Sequence, residues 1–291
     1  MYESFYGLRE RPFSLLPDPS FLYLGHKHRV ALTMLQYGLM SNAGFTIITG
    51  EIGSGKTTLI RQILNELGRD VTVGLITNTH QSFGELLQWV LMAFGLEHRG
   101  KEKVERYENF INFTIAEYAK GKRTVLIIDE AQNLSVDTLE ELRMLSNVNS
   151  DKNQILQLIM VGQPELRTML QLPQLKQFAQ RVSVSHHLDA LSSEETCQYI
   201  RHRIAVAGGD PELFGEKACA LIWFHSRGVP RVINTLCDMA LVYGYAAQEK
   251  VIDADLIKDV VRDRKKGGLF AGREDSEEAD EVFMEAVRRR E

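Results

Sequence analysis

The spacing of apolar positions along this chain changes several times, and each change marks an element. Gly44 to Thr49, Val71 to Thr77, Thr124 to Ile128, Gln154 to Gly162 and Val182 to Leu188 are short runs rich in β-branched residues, which predict five strands. Thr124 to Ile128 is apolar almost throughout, the pattern of a central parallel strand covered on both faces. Elsewhere apolar residues recur every three or four positions. His26 to Met40 (with Val30, Leu32, Leu35 and Leu39), Thr57 to Leu67, Ser82 to Phe94, Lys103 to Lys120 and Ser135 to Leu145 therefore predict helices. The second stops at Gly68, and the third opens with Ser82 and, three residues on, Glu85, a capping pair. In Lys103 to Lys120 the residues Val104, Tyr107, Ile111, Ile115 and Tyr118 share one face.

From Leu191 onward only helical spacing remains, over Ser193 to Val206, Gly215 to His225, Pro230 to Ala247 and Asp253 to Arg262. Pro230 suits the first turn of its helix, where an N–H is not needed. The pattern predicts an α/β core built on a parallel sheet (26–190), then a small all-helical domain (191–262). The first 25 residues stand apart: Phe5, Tyr6, Phe13, Phe21 and Tyr23 alternate with Pro12, Pro17 and Pro19. Prolines prevent regular structure and aromatics seek burial, so this segment is expected to pack across the core it precedes. The other reading is that it walls an adenine pocket, ending at Tyr23-Leu24-Gly25. Residues 263–291 alternate basic, glycine-rich and acidic blocks, the composition of a disordered or solvated end. No internal repeat is found.

Composition adds bounds rather than chemistry. At 44% hydrophobic and 25% charged residues the chain has the makeup of an ordinary globular protein, and its longest apolar runs are strand-sized, too short to span a membrane. Met1 to Leu16 carry charges throughout and lack the apolar centre of a signal peptide, which predicts a cytoplasmic protein. Cys197, Cys219 and Cys237 are odd in number and widely spaced, and read as buried free thiols. A net charge of −5 argues against a protein coated in basic surface for nucleic acid, though a local patch stays open.

The chemistry lies in Gly50-Glu51-Ile52-Gly53-Ser54-Gly55-Lys56-Thr57, which fits G-x-x-x-x-G-K-[ST] between a predicted strand and a predicted helix. Gly50, Gly53 and Gly55 let backbone N–H groups curl round a phosphate without a Cβ in the way. The start of the following helix adds partial positive charge. Lys56 is placed to reach the β- and γ-phosphates of ATP, and the Thr57 hydroxyl to coordinate Mg²⁺. Ser54 and Thr58 complete the nucleotide-binding set.

Thr124 to Ile128 ends in Asp129-Glu130, and the carboxyl ends of parallel strands carry the site. Asp129 is expected to support Mg²⁺ and Glu130 to activate the attacking water. Gln163, at the end of the fourth strand, can contact the γ-phosphate or hold that water. His186 and His187 are adjacent in a strand and face opposite ways, which disfavours a shared metal.

Five strands with a phosphate loop after the first and Asp-Glu after the third, then a helical domain, resemble the AAA+ ATPases over about residues 25 to 262. The resemblance implies a P-loop NTPase three-layer sandwich with a five-stranded parallel sheet and a helical lid. By position, Asn78 looks like the polar residue that pairs with Glu130, and Gln163 like sensor 1, which in the wider family is more often Asn or Thr. Arg181 looks like an arginine finger acting on a neighbour's γ-phosphate, with Arg167 between the same two strands as the other candidate. Arg231, in Gly228-Val229-Pro230-Arg231, looks like sensor 2. An arginine at either place stabilises charge developing in phosphoryl transfer.

A narrower similarity rests on Tyr6-Gly7-Leu8 with Arg11-Pro12-Phe13, Pro17-Asp18-Pro19, Gly50 to Thr58, Asp129-Glu130-Ala131-Gln132, Gly162-Gln163-Pro164-Glu165-Leu166 and Gly228-Val229-Pro230-Arg231. Together these are similar to the ExeA/GspA family of general-secretion ATPases. That implies an oligomeric, Mg²⁺-dependent ATPase with intersubunit sites. Its protein partner would belong to a bacterial secretion or cell-envelope system (secretin, pilus or exopolysaccharide), with any attachment to the inner membrane made through that partner. Many such proteins continue into a membrane span and a periplasmic peptidoglycan-binding domain, and these 291 residues hold neither. The ATPase module also looks like regulators of DNA transposition that form ATP-dependent filaments on duplex DNA. Basic candidates for that role are Arg201, His202 and Arg203, with Arg262, Arg264, Lys265 and Lys266.

Overall fold

The computed structural model describes residues 1–77, 85–147 and 154–266. Asn78 and Ser82, and all of 267–291, lie outside them. The chain divides into two compact units. One holds His26–Glu51 and Lys56–Asp189; the other gathers Met1–Gly25, Ile52–Gly55 and the chain from Ala190 onward.

The first unit is a three-layer α/β sandwich. Its helices are α1 (His26–Met40), α2 (Lys56–Glu66), α3 (Leu86–Ala93), α4 (Lys103–Ala119), α5 (Val136–Leu145), α6 (Pro164–Leu170) and α7 (Lys176–Ala179). Its strands β1 (Phe45–Gly50), β2 (Val71–Ile76), β3 (Arg123–Ile128), β4 (Leu156–Gly162) and β5 (Val182–Leu188) lie in the order β2-β3-β4-β1-β5, every pair parallel. β1 and β4 are buried at every residue and β3 at all but Arg123, while the edge strands β2 and β5 are only partly buried. That is why Thr124 to Ile128 reads as an almost unbroken apolar run. Phe45, Ile47, Leu126, Ile128, Leu158 and Met160 share one sheet face and a core with Leu87, Val90, Leu91, Phe110, Leu139 and Leu142 of α3, α4 and α5. α1 and α2 cover the other face.

Topology places the chemistry. Phe45 pairs with Leu158, and Thr124 with Leu156, so β4 runs between β1 and β3. The loop after β1, the acids after β3 and Gln163 after β4 therefore emerge side by side at one carboxyl edge.

Two helices differ from their sequence patterns. α3 begins at Leu86, with Glu85 extended at its N-cap. On α4 the apolar stripe is turned outward: Val104, Tyr107, Ile115 and Tyr118 are exposed, and the buried residues are Phe110, Thr114 and Glu117. Glu117 is tolerated there because Thr72 donates to it and Lys120 pairs with it.

The second unit holds α8 (Ser193–Val206), α9 (Glu216–Ser226), α10 (Pro230–Ala247) and α11 (Ala254–Lys266). Ser192 caps α8 with Glu195 in a reciprocal capping box. Cys219 and Cys237 are buried in its core and Cys197 is half-buried, all three as free thiols.

The aromatic N-terminal segment belongs to this unit and not to the α/β core it precedes. Tyr2, Leu8, Phe13 and Phe21 are all at most 6% exposed within the helical core. The rings of Phe13 and Phe214 meet edge to face at 5.7 Å. The physical reason is size: four short helices bury too little surface alone, and each large apolar side chain added contributes about 1.5–3 kcal/mol. Arg203 pins the segment. It is 7% exposed, stacks on the ring of Phe21 at 4.9 Å, and donates to the carbonyls of Pro12 and Ser14. Tyr23 donates to Gln198 at 2.7 Å and meets the rings of Tyr199 and His202. Among the described residues no helix is long and apolar enough to cross a membrane.

Candidate nucleotide site

β1 ends at Gly50 and α2 starts at Lys56, so the phosphate loop spans only the residues between. Gly53 and Gly55 have φ of +79° and +101°, where an L-side chain is strained and where successive N–H groups turn toward one point. Ser54 is buried within the loop, and Thr58 is half-buried on the first turn of α2. Lys56, 6% exposed, donates to the carbonyls of Gly50 at 2.7 Å and Glu51 at 2.8 Å. Burial lowers its pKa, opposed by the nearby Glu130 and Asp129 charges.

The Thr57 hydroxyl donates to Asp129 Oδ2 at 2.8 Å. Asp129 is 5% exposed, and its Oδ1 accepts the N–H of Glu130 at 2.9 Å. Burial raises its pKa, with both hydrogen bonds pulling the other way. A hydroxyl and a carboxylate converging at the phosphate loop form an oxygen donor set suited to a hard divalent cation, so the residues present fit Mg²⁺. The turned glycines and the helix start fit a polyphosphate.

Glu130 has φ +54° and ψ +36°, a left-handed conformation uncommon outside glycine. Such backbone is held at a cost and gathers at functional sites. Its Oε2 accepts from Gln163 Nε2 at 3.2 Å and from Gln132 Nε2 at 2.6 Å. The structure thus brings Lys56, Thr57, Asp129, Glu130 and Gln163 together. The sequence shows Gln132 only as part of Asp129-Glu130-Ala131-Gln132, because its contact with Gln163 depends on β3 and β4 being neighbours.

Within the helical unit, the Arg231 N–H donates to the carbonyl of Gly53 at 3.1 Å. Arg231 is exposed on the first turn of α10, one residue after Pro230. Arg181 is half-buried and donates to the Ser146 hydroxyl at 3.1 Å and the Arg143 carbonyl at 3.4 Å, at the C-terminus of α5. It precedes β5, whose first residue, Val182, pairs with Phe45 at the start of β1. It therefore lies at the sheet edge opposite the phosphate loop, roughly 20 Å along the strands. Arg167 is exposed on α6.

Comparison with known proteins adds three findings. A family model described as an AAA domain matches residues 39–170. General secretion pathway protein A of Aeromonas hydrophila is 38% identical over 258 residues, which is 88% of this chain and 47% of that protein, so the chain spans about half the length of this curated relative. Among solved structures, the Aeropyrum pernix ORC2 protein (ADPNP-ADP complexes) superposes with a TM-score of 0.63 at 18% identity, covering 87% of this chain and 71% of that one. Cdc6p from Pyrobaculum aerophilum gives 0.64 at 14% identity, over 87% and 70%. The Thermotoga maritima RuvB Holliday junction branch migration motor gives 0.51 at 18% identity, over 87% and 72%. At these identities the structural likenesses establish the fold alone.

Proposed function

We propose that this chain, which matches an AAA domain over residues 39–170 and resembles general secretion pathway protein A, binds ATP with Mg²⁺ and hydrolyses it as an oligomer. The cycle would switch or drive a protein partner in a secretion or cell-envelope assembly. The observation that carries the reading is the Thr57–Asp129 hydrogen bond of 2.8 Å, set between the buried Lys56 and the strained Glu130.

The loop amides and Lys56 hold the β- and γ-phosphates, and Thr57 and Asp129 hold the cation. When bound, Mg²⁺ would offset charge on the phosphate oxygens. Glu130 takes a proton from the attacking water, and Gln163 aligns it. Arg231, whose backbone N–H donates to the Gly53 carbonyl, would supply the guanidinium of sensor 2. Arg181, at the far edge of its own sheet, serves a neighbour's site rather than its own. The protein would act on the cytoplasmic side, with attachment to the inner membrane made through its partner.

Among the described residues, three of the basic candidates for duplex DNA are already engaged. Arg203 is buried against Phe21, Arg201 pairs with Glu212 at 2.7 Å, and Arg262 pairs with Asp259 at 3.0 Å.

The test is ATPase rate against protein concentration, with and without duplex DNA. A rate per protomer that climbs with concentration and ignores DNA is expected. Strong stimulation by DNA would replace the secretion reading with the DNA-regulator reading. Glu130→Gln should retain nucleotide and abolish turnover.

A further inference from the structure

Gln132 carries a carboxamide whose two ends are both spoken for by the hydrolytic machinery. Its Nε2 donates to Glu130 Oε2 at 2.6 Å, and its Oε1 accepts the backbone N–H of Gln163 at 2.9 Å. Gln163 closes the ring by donating its own Nε2 to the same Glu130 oxygen at 3.2 Å. The orientation of the Gln132 amide follows from its partners. A backbone N–H can only donate, so oxygen must face Gln163; an ionised carboxylate can only accept, so the NH₂ must face Glu130. Both ends demand the same arrangement.

Space for this bridge is built into the end of β4. A Cβ on Gly162 would come within 3.0 Å of Gln132 Oε1 and 3.3 Å of its backbone nitrogen. Gln132 itself sits in the short turn Ala131–Asn133, directly after the left-handed Glu130. The side chain therefore spans from β3 to the start of α6, tying the acid to the residue proposed to align the water.

We propose that Gln132 is a positioning residue for Glu130, holding its carboxylate against the end of β4 so that acid and Gln163 keep one mutual geometry. The proposal rests on the ATPase reading. A carboxylate side chain has several rotamers, and a base must lie within hydrogen-bond reach of the proton it removes. A charge-assisted hydrogen bond selects one of them.

Two variants separate this role from a structural one. Gln132→Ala removes both bonds. Gln132→Glu is nearly isosteric: it keeps an acceptor for the Gln163 N–H but places an acceptor where Glu130 needs a donor. If Gln132 only satisfies the Gln163 backbone, Gln132→Glu should turn over ATP almost as the unaltered chain does. If it positions Glu130, Gln132→Glu should lose kcat at least as far as Gln132→Ala, about 10- to 100-fold, with KM and the affinity for a fluorescent ATP analogue unchanged. A near-normal kcat for Gln132→Glu, or a loss confined to KM, would overturn the proposal while leaving the ATPase reading intact. An unaltered chain that fails to hydrolyse ATP would overturn the ATPase reading, and this proposal with it. Thermal melts of both variants identify a loss that comes from unfolding, and the isosteric variant keeps the comparison usable should Gln132→Ala fold poorly.

Discussion

Gly53 and Arg231 touch through their backbones so closely that a Cβ on Gly53 would lie 2.3 Å from the Cβ of Arg231. The Arg231 N–H also donates to the Gly53 carbonyl at 3.1 Å. The glycine is thus required twice, by its φ of +79° and by its neighbour. Gly53→Ala should cost about 1–2 kcal/mol from backbone strain alone and more from the clash. Nucleotide affinity should fall with stability. Arg231→Ala keeps the Cβ and the N–H, so it should leave the melting temperature nearly unchanged and weaken ATP binding only. Calorimetric titration beside thermal melts separates the two; equal melting losses would argue against this division.

Lys56 shows what a buried ammonium can and cannot be replaced by. Its Nζ sits between the carbonyls of Gly50 and Glu51, where 6% of the residue is exposed. Lys56→Ala should weaken ATP binding by about 100-fold, the loss of a charge-assisted contact. Lys56→Arg should fail too, because a planar guanidinium does not fit a site shaped for a compact charge. Retained affinity in the arginine variant would mean that charge alone suffices.

Asp129 should trade stability for function. Burial raises its pKa, so the ionised form is a cost to the folded protein at neutral pH. A raised carboxyl pKa contributes stability below its unfolded value and loses it as pH rises through the folded value. Asp129→Asn removes the charge, and its carboxamide can satisfy both partners: the oxygen accepts the Glu130 N–H and the NH₂ donates to the Thr57 hydroxyl oxygen. It should therefore melt higher than the unaltered protein at pH 7 in the absence of nucleotide. The gain should shrink as the pH falls into the carboxylate range, where Asp129 protonates. The same variant should lose Mg²⁺-dependent turnover. A melting gain that persists unchanged in acid would contradict the assignment.

What the amino-acid sequence discloses here divides by the range of the interaction involved. β1, the glycines and Lys56 are contiguous, so a local pattern reveals strand, loop and helix together. Asp129 and Glu130 follow from one apolar run and the rule that parallel strands present their carboxyl ends. The Glu130–Gln132–Gln163 ring is not legible, because it needs β3 beside β4, and strand order leaves no mark on spacing. On α4 the period identifies a shared face for Val104, Tyr107 and Ile115 without saying that Phe110, Thr114 and Glu117 would take the core side. The N-terminal aromatics announce that they will be buried, but not against which unit. Phe13 finding Phe214 spans two hundred residues of chain, and nothing local encodes it.

Arg203 is the joint on which that N-terminal packing turns. Arg203→Ala should destabilise the helical unit by about 2–4 kcal/mol, since the Pro12 and Ser14 carbonyls each lose a charged donor and the rings of Phe21 and Tyr199 lose their stacked cation. The first 25 residues should then become sensitive to limited proteolysis before the α/β unit does. Arg203→Lys keeps the charge but cannot reach both carbonyls and Tyr199 at once, and should recover only part of the loss. Simultaneous cleavage of both units would show that the segment is not held by this residue.

Arg181 and Arg167 make opposite predictions for activity between subunits. Arg181 lies beyond the reach of its own phosphate loop, across the length of β5, and is docked on Ser146. If it completes a neighbour's site, Arg181→Ala should bind ATP normally and hydrolyse it about 1000-fold more slowly. Lys56→Ala fails for the complementary reason: it binds ATP poorly but keeps a whole Arg181. Mixing the two inactive proteins should therefore restore turnover, because Lys56→Ala protomers supply the arginine to sites on Arg181→Ala protomers. The recovered rate per Arg181→Ala protomer should rise with the fraction of Lys56→Ala, and the total rate should peak at an intermediate mixture. Arg167, exposed one turn into α6 and near the carboxyl edge of its own sheet, serves as the control. Recovery from mixing Lys56→Ala with Arg167→Ala, and none with Arg181→Ala, would move the role to Arg167. No recovery in either mixture would show that both arginines act within their own chain or not at all.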